Sequence, residues 1–400
     1  MEKLNGEIEK FLKDRGALRV GFTTQELLEG GPPSCDLSYV LPGAKSAISF
    51  YLPLNHKYGL QYLNKESYWK HVMNNIEVNR DAVKIAQEVA NFLKKKGYNA
   101  DVAPPPGQYI EWARVPTLKN RIRDMIYKYM LKNMHKERVK KRLLKIFYEN
   151  KFRSFLASDS QYRMEEDDWR LTLPPHISHR YIAVRSGVAH MLWSGNAGVK
   201  EHGANIILGT IVTDAKLTPT DPLPEEDNFC GGYTGSCKLC LKACPTRMWS
   251  NDEIEEVTLG DHTIRYAKRL ESLRCQFACG GFTGLDKTKE WSSWCPGRYD
   301  IPEDQDEMIL TLIEAFLNQK FWPENPDPLY KMPVVLSCDF CQLVCVGNQK
   351  ETAKRFKALK NSGCIVQNPE GIYEILPAKE AEHRFNSFPQ EHRDKYQSKL

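Results

Sequence analysis

The 400-residue sequence lacks both a long hydrophobic run and a strong excess of charge of one sign. No stretch approaches about 18 uninterrupted apolar residues, which excludes a membrane-spanning helix. The formal net charge of +5 is too small to indicate nucleic-acid binding by itself. The first residues, MEKLNGEIEKFLKDRG, lack the apolar core of a secretory signal and the paired arginines of a twin-arginine signal. We therefore expect a cytoplasmic protein whose thiols stay reduced.

Clustered cysteines are the most informative feature. The chain has 12 cysteines, and all except Cys35 and Cys364 lie between positions 230 and 345. In a reducing compartment this clustering indicates metal binding rather than disulfides. The pattern C-x2-C-x3-C occurs over 237–244, where a proline follows, and again over 338–345. Zinc ribbons prefer paired C-x2-C knuckles, so the spacing favours two [4Fe–4S] clusters of the bacterial ferredoxin type.

The spacing also assigns most ligands. In two-cluster ferredoxins the last cysteine of each motif binds the other cluster. We therefore expect crossed ligation, in which the first cluster takes Cys237, Cys240 and Cys345, and the second takes Cys244, Cys338 and Cys341.

The motif spacing does not directly assign the fourth ligand of each cluster. The bacterial motif would place a cysteine at position 234, where this chain has Thr234. Cys230 is the natural substitute, because the glycines that follow it let the loop fold back. For the second cluster the intervening loop offers three candidates, Cys275, Cys279 and Cys295. Cys35 and Cys364 are interpreted as ordinary buried thiols.

The rest of the chain mixes helix and strand patterns. Apolar residues recur every three or four positions over 78–95, which predicts a helix, and 47–52 and 204–213 have the composition of buried strands. Among the cysteines, only 306–319 is predicted as regular structure, a helix. We expect an α+β protein with five segments: α/β parts at 1–107 and 160–228, a basic helical insertion at 108–159, a cluster domain at 229–346 and a polar tail at 347–400.

The basic insertion allows two interpretations. Residues 114–153 carry 14 Lys or Arg against three acids and an apolar stripe around 122–130. Such a helix could make peripheral contact with an anionic membrane or with RNA. We favour the alternative that the stripe docks on the protein body and the charges are solvated.

The order of these segments resembles the cobalamin-dependent iron–sulfur reductases, which include epoxyqueuosine reductase and the reductive dehalogenases. Residues 41–48 (LPGAKSAI) are similar to the family's early PGAKS segment, and 185–187 (RSG) to its RAGLG segment. Residues 208–214 (LGTIVTD) and 338–345 (CDFCQLVC) are similar to its LG-x-(I/V)-x-TD and CDxCQxVC segments. Cys275 lies where the family has a lone cysteine, and the resemblance therefore favours Cys275 as the fourth ligand of the second cluster.

The resemblance implies a nitroreductase-like α/β corrinoid-binding domain followed by a ferredoxin-like domain with two [4Fe–4S] clusters. Cobalamin would lie close to one cluster and receive electrons from a donor such as ferredoxin or flavodoxin. We expect corrinoid contacts from two short stretches, Trp193, Ser194, Gly195 and Asn196, and Leu208 and Gly209. The polar side chains expected to be catalytic are Tyr181, His190 and His202.

The sequence departs from both branches of this family. The acidic proton donor of epoxyqueuosine reductases would fall at Thr172 or Leu173, and a basic position of the dehalogenases is Ile207 here. The expected function is therefore reductive-dehalogenase-like, a cobalamin-dependent iron–sulfur reductase of a small organic substrate. One alternative is epoxyqueuosine reduction on tRNA, against which the missing acid argues. The other is an iron–sulfur electron carrier without corrinoid.

Overall fold

The computed structural model describes residues 2–103, 129, 133, 135–148, 177–270, 272–319 and 338–398. Most of the basic segment 114–153, with its expected membrane or RNA contact, therefore lies outside the described residues, as do positions 172 and 173. Within the described ranges, no helix has the length and apolarity needed to cross a bilayer.

The elements are named here in chain order. The helices are α1 (Glu2–Lys13), α2 (His56–Leu63), α3 (Trp69–Lys95), α4 (Glu137–Tyr148), α5 (His179–Arg185), α6 (Leu239–Lys242), α7 (Ser272–Cys279), α8 (Gln305–Gln319), α9 (Phe340–Val344), α10 (Gln349–Lys360), α11 (Ala378–Ser387) and α12 (Gln390–Arg393). The strands are β1 (Arg19–Thr24), β2 (Ser46–Pro53), β3 (Ala100–Val102), β4 (His190–Met191), β5 (Ala197–Gly198), β6 (Ile206–Thr213), β7 (Trp249–Leu259), β8 (His262–Arg269), β9 (Cys364–Gln367) and β10 (Tyr373–Leu376).

A four-stranded antiparallel sheet forms the centre of the N-terminal half. Its order is β1-β2-β6-β3, and β2 pairs along its whole length with β6, from Ser46 opposite Thr213 to Pro53 opposite Ile206. Helices α1 and α3 pack on one face through residues such as Leu12 and Val89. Helix α5 covers the other face together with Leu259 from the β7–β8 hairpin. Because both faces are covered, β2 is a nearly continuous apolar run rather than an alternating one, and both strands predicted from sequence are present.

The cysteine-containing region has more regular structure than its sequence predicts. Strands β7 and β8 form a long antiparallel hairpin with an irregularity between Trp249 and Ile254. Several side chains of the hairpin are exposed, including Ile254. The hairpin sequence therefore lacks the regular alternation of apolar and polar residues that predicts a half-buried strand. The hairpin end nevertheless packs into the N-terminal half, where Tyr266 joins the core beside α5.

The segment after residue 346, expected as a polar tail, has regular structure. This segment folds into α10, the β9–β10 hairpin, α11 and α12. Val366, Phe385 and Tyr396 are buried in a core shared with α8. The apolar residues of the segment are few and are separated by charged residues. Its average composition is therefore polar, although these apolar side chains pack together in the folded protein.

Candidate redox site

Four cysteines form what we call the first thiol set. Cys230, Cys237, Cys240 and Cys345 line a small cavity of about 30 Å³. Cys240 lies on α6, Cys230 and Cys237 lie on the loop before it, and Cys345 follows α9. Burial raises the pKa of the Cys230, Cys240 and Cys345 thiols, to about 11 for Cys345. Iron binds thiolates, so filling this cavity with a cluster would release protons.

A turn of the N-terminal half holds Cys345 in place. The backbone N–H of Ala204 and the side-chain amide of Asn205 donate to the Cys345 carbonyl oxygen, at 3.0 and 2.7 Å. Gly203 has φ +60°, and a Cβ there would collide with the Cys345 backbone. Glycine is therefore required where this turn meets the last cysteine motif.

Thr234, at the expected cysteine position, stabilises the loop instead. Its side chain is exposed, and its hydroxyl donates to the Gly231 carbonyl oxygen at 3.1 Å and lies 3.0 Å from the Ser236 hydroxyl. Thr234 is not among the residues that line the first cavity. The folded-back loop thus brings Cys230 to the other three thiols, as the glycines suggest.

Five cysteines form the second thiol set. Cys244, Cys275, Cys279, Cys338 and Cys341 all line a larger cavity of about 460 Å³. Burial raises the pKa of the Cys244 thiol to about 11 and that of Cys341 well above its usual value. Cys295, a third candidate for the fourth ligand, lies elsewhere, in the core shared by α8 and the C-terminal segment.

The thiols of both sets are spread around a space. In the described part of the chain, no three His, Cys, Asp or Glu side chains converge on a position for a single metal ion. The four thiolates of a cubic cluster bind four different irons and surround the cluster, whereas the ligands of zinc meet at one point.

Residues 193–196 lie between the two thiol sets. The Trp193 backbone N–H donates to Cys230 Sγ at 3.3 Å, and the Asn196 side-chain amide donates to Cys341 Sγ at 3.7 Å. Burial raises the pKa of the Cys240 thiol, and the nearby Ser194 hydroxyl acts against that shift. Donors to ligand sulfur stabilise a reduced cluster. Three residues expected at a corrinoid thus contact the thiols.

The remaining corrinoid candidates have two different environments. Leu208 lines the larger cavity with its neighbours on β6, and Asn196 lines it too. Gly209 leaves room for the ring of Phe50, and Gly195 leaves room for Tyr266. The two glycines are therefore needed for packing inside the protein.

The three expected catalytic side chains do not line the larger cavity. The Tyr181 hydroxyl lies 2.6 Å from that of Tyr266, and His202 Nδ1 lies 3.2 Å from His56 Nε2. The His190 ring makes an edge contact with Phe229. The residues of α5 that do line the cavity are His179 and Arg180, and His179 Nδ1 lies 2.8 Å from the Thr210 hydroxyl.

A buried polar stripe on α3 forms another part of the cavity environment. His71, Asn75 and Asn79 are buried at intervals of four residues. His71 Nε2 and the Asn75 amide lie 3.2 and 3.1 Å from Asp339 Oδ2, within the last cysteine motif. Asp339 has φ +107° in the turn between Cys338 and Cys341, and these contacts hold that uncommon backbone conformation. The polar residues on an otherwise apolar helix face were a sequence signal for this site.

Arg269, at the end of β8, places a cation against the second thiol set. Its side chain lines the cavity, and its Nε is buried without a hydrogen-bond partner among the described residues. Burial lowers the pKa of Arg269, as does Arg180, whereas Cys275 and Cys341 act in the opposite direction. Nothing in the local sequence indicates this position, because it depends on how the hairpin packs.

The comparisons with known proteins find a similar segment. No family model matches the chain. A curated epoxyqueuosine reductase from Atelocyanobacterium thalassa (isolate ALOHA) is 35% identical over 71 residues, which are 18% of this chain and 21% of that protein. The similarity thus spans about a fifth of the relative.

Solved structures with related names are similar at low identity. An epoxyqueuosine reductase from Bacillus subtilis is 14% identical, with 90% of this chain and 81% of that chain covered and a TM-score of 0.38. A catabolic reductive dehalogenase in complex with 3-bromo-4-hydroxybenzoic acid is 10% identical, with coverages of 78% and 34% and a TM-score of 0.39. These TM-scores lie below 0.5. The expected resemblance to epoxyqueuosine reductase is confirmed over this 71-residue segment, which is 18% of the chain.

Proposed function

We propose that this chain is an iron–sulfur oxidoreductase that holds two [4Fe–4S] clusters and delivers electrons to a corrinoid and an organic substrate in the larger cavity. The observation that carries the proposal is the pair of thiol sets, of which the second opens into that cavity. Residues 193–196 contact both sets and would form the connection between the two clusters. In this proposal the nitroreductase-like part comprises the central sheet with α3 and α5, and the ferredoxin-like part comprises the cysteine motifs.

The residues present fit two cubic clusters. Each set offers at least four thiols, and the spacing of the motifs predicts this division between the sets. The buried Ser194 hydroxyl lies beside the Cys240 thiol and acts against the burial-driven rise of its pKa. It is available to donate to cluster sulfur.

The cavity wall also fits a corrinoid by its chemistry. Ile206, Ile207 and Leu208 form an apolar wall, and Asn196 and Arg269 face the same space with N–H donors. The amide groups at a corrin rim accept such donors, and the unpartnered Nε of Arg269 needs an acceptor. Bound there, a reduced cobalamin would supply a strong nucleophile and reductant. The chain itself would orient the substrate and exclude water.

His179 is the best-placed proton donor in this proposal. It lines the cavity, and the Thr210 hydroxyl orients its ring. Reductive cleavage of a carbon–heteroatom bond consumes two electrons and places a proton on the product. A donor must reach the substrate in order to act, and this requirement favours His179 over Tyr181, His190 and His202.

Anaerobic reconstitution tests the proposal. The purified chain, loaded with iron and sulfide, should contain about eight irons per protein and should then bind cobalamin, with a change in the cobalt EPR spectrum. A protein that holds two clusters but does not bind cobalamin would instead be an iron–sulfur electron carrier without corrinoid. Fewer than about four irons would contradict the proposal altogether.

Electrons enter through the first thiol set in this proposal. Cys237 is partly exposed; Lys238 follows it in the chain, exposed Lys242 ends α6, and exposed Lys350 lies in the first turn of α10. The Gln349 side-chain amide, at the start of α10, donates to the Ser236 hydroxyl in the loop before α6 at 3.1 Å. A basic rim suits an acidic carrier of the ferredoxin or flavodoxin class.

The salt dependence of reduction tests this docking surface. Lys242→Glu with Lys350→Glu should slow reduction by an acidic carrier at least about tenfold at low ionic strength, and the difference should shrink at high salt. Lys84→Glu with Lys94→Glu, both on exposed α3 surface, is a control with the same charge change. An equal effect of the control variant would show that net charge, and not this surface, controls the rate.

Epoxyqueuosine reduction on tRNA is the second candidate, favoured by the 35% identity to a curated epoxyqueuosine reductase. One epoxyqueuosine reductase has been crystallised with an epoxyqueuosine-modified tRNA stem loop. Incubation of the loaded enzyme with epoxyqueuosine-containing tRNA and with a halogenated phenol would separate the two substrates. Conversion of the tRNA alone would replace the first candidate by the second.

A further inference from the structure

The second thiol set contains one cysteine more than a cubic cluster can bind. Cys244, Cys338 and Cys341 come from the two motifs, and each has a distinct position in the C-x2-C-x3-C pattern. Both remaining cysteines, Cys275 and Cys279, line the same cavity. A [4Fe–4S] cluster takes four cysteine ligands, so one of these two thiols is left over.

Cys275 and Cys279 are neighbours on one helix and together reach different members of the second thiol set: Cys275 packs with Cys244 and Cys341, and Cys279 packs with Cys338. They lie four residues apart on α7, and residues at this spacing lie on one helix face. Their sulfur atoms are 3.6 Å apart, and Cys279 also lies beside Cys338. Both thiols lie in the last two turns of α7. The helix ends at Cys279, shortly before Gly281, which has φ +77°.

We propose that Cys275 and Cys279 are interchangeable fourth ligands of the second cluster, and that the thiol not bound to iron faces the cavity. The inference rests on the proposed function, since it requires that this cluster exists. In the exchange, the bond from iron to one sulfur breaks as the bond to the other forms. The proton of the incoming thiol passes to the departing thiolate, and no electron is gained or lost.

Cys295 provides the matched control. It is a buried cysteine from the same loop region, and its position in the sequence made it a candidate for the same role. Its sulfur contacts the Gly281 carbonyl oxygen and accepts from the Gly297 backbone N–H at 3.0 Å. It packs in a different core. Its replacement therefore removes a nearby thiol but leaves all five cysteines of the second thiol set in place.

Iron content measured on four variants tests the exchange. Cys275→Ala and Cys279→Ala should each keep about eight irons per protein, with a changed EPR spectrum of the second cluster, and the double variant should fall to about four. Cys295→Ala should match the wild type. A loss of four irons in either single variant would show a dedicated ligand and overturn the inference, as would a double variant that keeps eight. A wild type without clusters would instead refute the proposed function.

Alkylation gives a second measurement that does not depend on substitution. Brief treatment of the anaerobic cluster-loaded protein with iodoacetamide, followed by mass spectrometry, should find the label on Cys275 in some molecules and on Cys279 in others. No molecule that keeps its second cluster should carry both labels. Labelling of Cys279 alone would make Cys275 the fixed ligand and would overturn the exchange.

Discussion

In the proposed function, replacement of Arg269 should lower the reduction potential of the second cluster. Its guanidinium lines the same cavity as the second thiol set, and Cys275 and Cys341 interact with it electrostatically. A reduced cluster carries one more negative charge than the oxidised one, so a nearby cation favours reduction. With a separation of ~7 Å and an effective dielectric constant of ~20, one charge contributes ~2.4 kcal/mol, or ~100 mV for one electron.

An EPR-monitored redox titration measures this effect. Arg269→Gln should shift the second cluster by about 100 mV towards lower potential and should leave the first cluster nearly unchanged. Arg269→Lys keeps the charge and should recover most of the potential. Arg265→Gln is the control, since Arg265 lies on the same strand but is exposed and paired with Glu256 at 2.7 Å. An unchanged or higher potential in Arg269→Gln would refute the reasoning.

Single positions give three further predictions. Cys230→Ser should reduce the iron content from about eight to about four per protein, whereas Thr234→Ala should keep eight; full iron in Cys230→Ser would remove Cys230 from the ligand set. His179→Asn should lower turnover by roughly 10²–10⁴-fold with unchanged iron, and His202→Asn should have little effect on turnover; equal losses would contradict the assignment. Burial lowers the pKa of Lys65 from 10.5 to about 7 in the folded chain, so the unfolded state binds more protons between these values and stability rises with pH across that window. Lys65→Met should abolish this rise in thermal midpoint, and a wild-type midpoint that falls between pH 7 and 10 would exclude the mechanism.

The predictable parts of the structure were those with local signals. The strands β2 and β6 were readable because each is a continuous apolar run, and the motif spacing assigned six thiols to two groups that the structure also brings together. Spacing could not choose between Cys275 and Cys279, because their position depends on where α7 packs. The hairpin β7–β8 and the segment after 346 were missed for a related reason. Their buried side chains, such as Tyr266 and Phe385, are isolated in sequence and meet their partners only across the fold.

The roles of residues near the cavity were harder to predict. A glycine or an aromatic residue in a sequence motif can either contact a bound ligand or fill space in the protein core. Gly209 matched a family segment, and its missing side chain makes room for Phe50. The α3 stripe was different, since Asn75 and Asn79 are polar where the helix period demands apolar residues. A buried amide requires a partner, and the chain supplies one in Asp339, between two cysteines of the second set. The departure from helix periodicity therefore locates the contact between α3 and the last cysteine motif. Loss of the Asn75 amide should disturb the second cluster before it disturbs the first.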